Sequence, residues 1–229
     1  MAFAAISGMV PTSAASLASR LPLTPQAQAL VAPGQSPIQL AQTLAAQGMN
    51  RDAVSVLASG MQPKQGVSWA AASAKMVEAK LPPGEVKAAE LAQSWTQGQA
   101  TEGQLTSALQ QTQLAGPGSW SAQAALWSQQ GATLGTGAGA TPLAPKAVEG
   151  AVNLAASVKA GALQVPATPQ LPSATALAAP QIATPQVPSA PTMVSLDQLT
   201  PPQVKAMNDA LAPFVQLGLK IAGGAGGIA

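Results

Sequence analysis

Apolar residues recur at helical spacing through most of the first two thirds of the chain. The stripe is cleanest in one segment, where the residues at i, i+3, i+4 and i+7 are Val54, Leu57, Ala58 and Met61. The periodic segments are separated by short breaks that contain proline or glycine, and no segment alternates with period two. We therefore predict an all-α fold, a compact array of short helices that fold back on one another as antiparallel hairpins.

Helix-end signals support this interpretation. Ser36 and Gln39 have the spacing of a capping box, in which each side chain accepts a hydrogen bond from the backbone amide of the other residue. Thr101 and Gln104 repeat that spacing. Single N-caps are expected at Thr24, Asn50 and Ser119. The predicted helices thus begin at residues that can satisfy the unpaired amides of a first turn.

Composition divides the chain into five segments. Residues 1–20 are small and mildly apolar, and we expect a flexible N-terminal arm. Residues 21–164 contain the periodic segments and are expected to form one helical domain. Prolines every few residues make 165–194 a Pro/Ala-rich linker, because proline disfavours regular helix and sheet and favours an extended, semi-rigid spacer. An amphipathic helix is predicted over 195–222, and a Gly-rich tail follows at 223–229.

The C-terminal amphipathic helix is the strongest candidate for binding a partner. The residues on its apolar side are Val204, Met207, Leu211, Phe214 and Val215. A proline-rich tether that ends in such a helix matches the mode in which an amphipathic helix occupies an apolar groove of another protein. The alternative is that the helix folds back and covers a groove on its own domain. The sequence gives the two interpretations nearly equal support.

Charge is scarce in this chain. Charged residues make up 8% of it, whereas they make up about a quarter of an ordinary soluble domain. The net charge is +2, and the ten basic residues are spread singly along the sequence. Nucleic acid is not an expected partner, because a phosphate backbone requires several cations on one face. With no secretory leader pattern and no long apolar run, we expect a cytoplasmic protein without a transmembrane helix.

The chemistry available to the side chains is limited. The chain has no cysteine and no histidine, so disulfides are excluded and the commonest metal ligand and general base are missing. Glu85 and Glu90 are interpreted as exposed partners of neighbouring lysines. The glycines within 131–141 lack the strand and the lysine of a phosphate-binding loop. We expect no cofactor, no metal and no enzymatic activity; the enzymatic alternative is a hydrolase that uses two carboxylates.

Four tryptophans supply much of the large apolar volume in an alanine-rich chain. We interpret them as core residues rather than as ligand-stacking rings, and we expect Trp120 to be the most exposed because it lies beside the turn at 116–118. Asp52 lies in a first turn, where the helix dipole favours a carboxylate. The residues expected to hold the domain together are Asp52, Val54, Leu57, Trp69, Trp95 and Trp127.

Several short motifs follow one another along the helical domain, namely Asp52-Ala53-Val54, Leu57-Ala58, Pro63, Trp69-Ala70, Ala88-Ala89 and the run VEGAVNLAA at 148–156. In order and spacing they resemble a bacterial family known only as a domain of unknown function, over roughly residues 20–163. Ala70 and Ser73 depart from the family pattern, which is usually richer in Trp and Cys there. The resemblance implies a helical domain of bacterial source, and some members of the family accompany large secretion or assembly machines. It supplies no catalytic or binding residues.

These observations favour a non-enzymatic adaptor or structural subunit of a bacterial multiprotein assembly, with secretion as the context suggested by the resemblance. Protein partners are expected to bind through the helical domain and through the tethered C-terminal helix. A self-assembling coat or filament subunit is the alternative within non-enzymatic proteins, and homo-oligomers are compatible with the sequence.

Overall fold

The computed structural model describes residues 9–10, 12–112, 114–135, 141–162 and 201–223, with only the backbone described for 201–204. The α-helices in these ranges are α1 (Ala14–Ala18), α2 (Pro25–Gln28), α3 (Pro37–Ala46), α4 (Asn50–Gly60), α5 (Pro63–Lys75), α6 (Pro83–Thr96), α7 (Glu102–Thr112), α8 (Pro117–Gln130), α9 (Ala144–Lys159) and α10 (Pro201–Ala222). A 3₁₀ turn, Glu78–Lys80, joins α5 to α6. Two very short strands, β1 (Thr133–Leu134) and β2 (Thr141–Pro142), pair antiparallel before α9. The predicted all-α class is confirmed.

Most of the predicted helix-end signals act as expected. The pairs Ser36–Gln39 and Thr101–Gln104 both form the two hydrogen bonds of a capping box. The Thr24 side chain accepts a hydrogen bond from the Ala27 amide and caps α2. These bonds join residues three positions apart, so the local sequence alone determines them.

Two predicted caps, Asn50 and Ser119, are wrong. Both residues lie inside the first turn of a helix, α4 and α8 respectively, rather than before it. The Asn50 side chain donates to the carbonyl oxygen of Asn208, and the Ser119 hydroxyl donates to the carboxylate of Glu85. Both side chains thus contact a residue distant in sequence, although Ser119 Oγ also accepts a hydrogen bond from the amide of Gly116, the N-cap of α8.

Helix α8 runs through the middle of the domain. Helices α5, α6, α7 and α9 pack around it, and residues 117–126 are all buried. This buried stretch includes hydroxyl groups, which remain bonded: the Ser121 Oγ donates to the carbonyl oxygen of Pro117 at 2.7 Å. Helix α5, for which the sequence indicates packing on more than one side, contacts α6, α8, α9 and α10. These two helices therefore form the centre of the fold.

The core combines a few large side chains with many alanines. The largest fully buried side chains are Trp69, Phe214, Leu40, Leu44, Leu57, Leu105 and Leu211, followed by valines. Alanine lets neighbouring helices approach closely, but each alanine removes little apolar area from water. The stability of the domain therefore depends heavily on its few large residues.

The N-terminal segment, predicted to be a flexible arm, is packed against the domain over its described residues. Met9 pairs with Met61 in an antiparallel bridge, and the Val10 amide donates to the carbonyl oxygen of Gly60 at 2.8 Å. Ala14 and Leu17 of α1 are buried. An uncharged, mildly apolar segment gains from covering α3 and α4, which α1 contacts.

Some predictions concern parts of the chain that the structure does not describe. The linker predicted over 165–194 and the tail predicted over 223–229 lie outside the described residues, except for Gly223. The amphipathic helix predicted over 195–222 is present from Pro201 onward as α10. None of the described helices has the length and apolar character that a membrane span requires.

Candidate partner-binding site

Helix α10 lies in a groove formed by α3, α4, α5 and α9, which we call the helix groove. The side chains that α10 buries there follow helical spacing: Leu211, Phe214, Val215, Ile221 and Ala222. Gly218 lies on the same face. Docking removes a continuous apolar stripe from water, and this burial is the main force that holds an amphipathic helix on a protein surface.

Trp69 of α5 contacts α10 through both its ring and its N–H group. The side chain is fully buried, and its Nε1 donates to the carbonyl oxygen of Phe214 at 2.9 Å. The indole also lies directly against Gly218, because a Cβ at position 218 would be only 2.7 Å from Trp69 Cε2. The backbone of α10 can therefore approach the ring this closely only with glycine at that position.

Polar contacts fix where α10 sits along the helix groove. Asn50 Nδ2 donates to the carbonyl oxygen of Asn208 at 2.8 Å, and the Arg51 amide donates to Asn208 Oδ1 at 3.2 Å. The second bond satisfies one of the unpaired amides in the first turn of α4. Lys159 Nζ lies 5.5 Å from the centroid of the Phe214 ring, within the range of a cation–π interaction.

The residues predicted to bind a partner mostly face the chain's own domain. Leu211, Phe214 and Val215 are fully buried in the helix groove, and Met207 is half-buried. The side chain of Val204 lies outside the described residues. Of the two alternatives for the C-terminal helix, the observed arrangement is the fold-back, since its apolar stripe covers its own domain. Binding of these side chains to another protein would require α10 to leave the groove.

Of the residues predicted to hold the domain together, some lie in the apolar core and one joins two helices by hydrogen bonds. Val54, Leu57 and Trp69 are fully buried core residues. The carboxylate of Asp52 instead accepts hydrogen bonds from the amide and the hydroxyl of Thr24, at 2.9 and 3.0 Å. Asp52 therefore ties α4 to the start of α2, a contact that its position in a first turn did not indicate.

Exposure of the other tryptophans differs from the prediction. Trp120, expected to be the most exposed, is only 9% exposed, so that expectation is wrong. Its Nε1 donates to the carbonyl oxygen of Leu114, and its ring packs against Gly150 of α9. Trp95 and Trp127 are half-buried. The turn beside Trp120 brings the ring under α9 rather than into solvent.

Glu85 is the polar residue whose environment the sequence did not predict. Its side chain was interpreted as exposed, but the residue is 2% exposed. The carboxylate accepts hydrogen bonds from the amide and the hydroxyl of Ser119, both at 2.8 Å. Burial raises the pKa of the Glu85 carboxyl, and hydrogen bonds donated by Ser119, Gly118 and Gly116 offset part of this rise. The turn at 116–118, with its two glycines, was the available signal of a close approach.

The carboxylate of Glu149 is also engaged in structural contacts. Ser55 Oγ donates to Glu149 Oε1 at 2.6 Å, and Lys146 Nζ lies 3.1 Å from Glu149 Oε2. Among the described residues, no group of three or more acidic side chains, histidines or cysteines comes together to hold a metal ion. The candidate binding surface is therefore the helix groove, where α10 covers an apolar stripe.

The fold and the groove define an all-α domain that holds an amphipathic helix. Residues 40–179 match the sequence family described as "Family of unknown function (DUF6931)", and the chain belongs to this family. No curated protein and no solved structure matches the chain. The matched stretch includes α4, α5 and α9, and therefore Trp69, but it ends before α10 begins at Pro201.

Proposed function

We propose that the protein is a non-enzymatic adaptor or structural subunit of a multiprotein assembly, and that it exchanges α10 for a helix of a partner in the helix groove. The observation that carries the proposal is the docking of α10, which uses the same helix-in-groove contacts that many proteins use to bind partner helices. The resemblance to a bacterial family with members near secretion and assembly machines favours the same class of function.

The position of α10 in the sequence supports exchange. Residues 160–200 separate it from α9. Because this connection is long, the effective concentration of α10 at the groove is about millimolar at most. A partner helix of sufficient affinity can compete with such a tethered helix. The family match ends at residue 179, so the helix groove lies in the family domain whereas its present occupant lies outside the matched stretch.

Trp69 and Gly218 define which helices the groove accepts. The indole leaves no space for a side chain at the position of Gly218, where even a Cβ would be 2.7 Å from the ring. A competing helix therefore needs a glycine there, with large apolar residues one and two turns before it, as Phe214 and Leu211 are in α10. Such a requirement provides specificity by rejecting helices that have any side chain at that point.

A reversible crosslink across the groove tests the proposal. The chain has no cysteine, so Asn50→Cys and Asn208→Cys would introduce its only thiols on the two sides of one observed contact. A bismaleimide with a cleavable disulfide spacer would hold α10 in place, and reduction would release it. The same protein thus serves as its own control for the two substitutions.

We expect the linked protein to lose capture of partners from its native source and the cleaved protein to regain it, with the captured proteins identified by mass spectrometry. Capture that is equal before and after cleavage would contradict exchange in the groove. If α10 exchanges between copies of this chain, as in a self-assembling subunit, linked dimers will form at high protein concentration. Size-exclusion chromatography before and after cleavage separates that outcome from binding to a different protein.

A further inference from the structure

The junction of α5 and α6 carries an open depression with an apolar floor and a basic rim. It has a volume of about 810 Å³, and a second depression of about 580 Å³ adjoins it along α6. Met76, Leu81 and Val86 line the first depression, and Met76 is 42% exposed, which is unusual for a large apolar residue in this protein. We call this surface the lysine-rimmed depression.

The described residues that line this depression carry a net positive charge. The rim contains four lysines, Lys75, Lys80, Lys87 and Lys159, and two acidic residues, Glu78 and Glu90. The whole chain has ten basic and eight acidic residues. The lining thus contains four of the ten basic residues and two of the eight acidic ones, a formal net charge of +2. Basic residues that are scattered along the sequence are thus gathered by the fold.

Two of the four lysines are engaged by the domain, namely Lys80 and Lys159, whose Nζ lies 5.5 Å from the centroid of the Phe214 ring. Lys80 Nζ donates to the carbonyl oxygens of Val158 and Lys159 at the end of α9, so its ammonium group is held in place. Lys75 forms no ion pair with a described residue. Lys87 lies 3.6 Å from Glu90, but both side chains are more than 60% exposed, and such pairs contribute little.

From this geometry we infer that the lysine-rimmed depression binds an acidic amphipathic segment of another protein, with apolar side chains in the depression and carboxylates against Lys75 and Lys87. The depression is open to solvent and has room for the apolar side chains of a peptide segment. Complementary charge provides orientation and fast association, and the apolar floor supplies burial. Lys159 belongs to both surfaces, since it also lies over the Phe214 ring of α10, but the inference rests on Lys75 and Lys87 and does not require exchange of α10.

Peptide titration of the full-length protein tests the inference. The probe is a fluorescently labelled amphipathic peptide with leucines at i, i+3, i+4 and i+7 and glutamates elsewhere, followed by anisotropy at low and at physiological salt. A peptide with the same leucines and lysines in place of glutamates is the matched control. We expect saturable binding of the acidic peptide that weakens with salt, and no binding of the basic one.

Variants then locate the site. Lys75→Ala with Lys87→Ala is expected to weaken binding about tenfold, whereas Lys64→Ala with Lys205→Ala makes the same change of charge elsewhere and should leave it unchanged. Met76→Ser should also weaken binding, and Leu134→Ser, at another exposed apolar residue, should not. Because all six side chains are exposed, these substitutions are not expected to unfold the protein.

Three results would overturn the inference. The first is no binding of the acidic peptide, and the second is equal binding by the rim variant and its charge-matched control. The third uses anionic phosphatidylserine vesicles and duplex DNA as further probes. The inference fails if either of them binds in a manner that depends on Lys75 and Lys87 while binding of the peptide does not depend on these lysines. Failure here would leave the crosslinking test of the helix groove unaffected, since that test uses another surface.

Discussion

At the scale of single residues, the buried carboxyl of Glu85 makes stability depend on pH. Its pKa is raised above the ordinary value of 4.5 because burial penalises the charged form, so the folded state binds the proton more tightly than the unfolded chain. Such a carboxyl stabilises the fold fully at pH values below its pKa in the unfolded chain. Its contribution is lost as the pH rises through its pKa in the folded protein.

We therefore expect the free energy of unfolding of the natural protein, relative to Glu85→Gln, to fall as the pH rises above the ordinary carboxyl pKa of 4.5. Urea unfolding followed by circular dichroism at several pH values measures this difference. Glu90→Gln, which removes an exposed carboxylate from the same helix, is the control and should show no such trend. A difference that grows with pH would mean that the hydrogen bonds from Ser119 dominate over burial.

The sequence predicts residue environments where a bond is local and fails where it is not. The capping box of Ser36 and Gln39 involves residues three apart, and the sequence alone indicated it. Glu85 and Ser119 are 34 residues apart, and only the packing of α6 on α8 brings them together. Nothing near Glu85 distinguishes it from an exposed acid, so its burial requires knowledge of the fold.

At the scale of secondary-structure elements, the contact between α6 and α8 depends on Gly118. A Cβ on this residue would overlap the carbonyl oxygen of Glu85, which is backbone and cannot rotate away. We expect Gly118→Ala to destabilise the protein by about 3 kcal/mol or more, at the upper end of overpacking effects, because two helices must move apart. Thermal or urea unfolding measures the loss.

Gly103 of α7 provides the matched control for that substitution. It also lies in a helix, but a Cβ there would have no neighbour within 4 Å. Gly103→Ala should leave stability unchanged or raise it by up to about 1 kcal/mol, because alanine favours helix over glycine. Equal losses at positions 103 and 118 would contradict the close approach of α6 and α8.

Element boundaries follow from the sequence more readily than element partners. Proline, glycine and capping residues indicated the ends of most helices, because these signals act within one turn. The apolar stripe of α10 indicated that the helix has a partner, but spacing alone does not say which surface covers it. Trp69 and Phe214, which make that contact, are 145 positions apart.

At the scale of the whole molecule, α10 completes the core rather than forming a separate unit. Leu211, Phe214 and Val215 are among the largest fully buried side chains of the protein. Substituting Gly218 by alanine should raise the intrinsic helix preference of α10 by about 1 kcal/mol while disrupting its contact with Trp69. The first effect stabilises the helix and the second weakens its docking, so the net change shows whether docking outweighs helix preference.

We expect Gly218→Ala to increase hydrogen–deuterium exchange of the α10 amides and of peptides that contain Trp69, because the docked helix opens more often. Mass spectrometry of the full-length protein measures this exchange. Gln216→Ala changes an exposed residue of the same helix and should leave exchange unchanged. Unaltered protection in the Gly218→Ala protein would show that the indole can move to make room, against the specificity assigned to the groove.

The great sequence separation between α10 and its groove also has a consequence for synthesis on the ribosome. Asn50 and Asn208 are 158 residues apart, so the groove residues leave the ribosome long before their cover. At translation rates of about 5–20 residues per second, roughly seven to thirty seconds pass between synthesis of Trp69 and of Phe214, and α9, which completes the groove, is made within that time. During that interval α10 has not been made and cannot compete, so a helix from another protein can bind the groove directly.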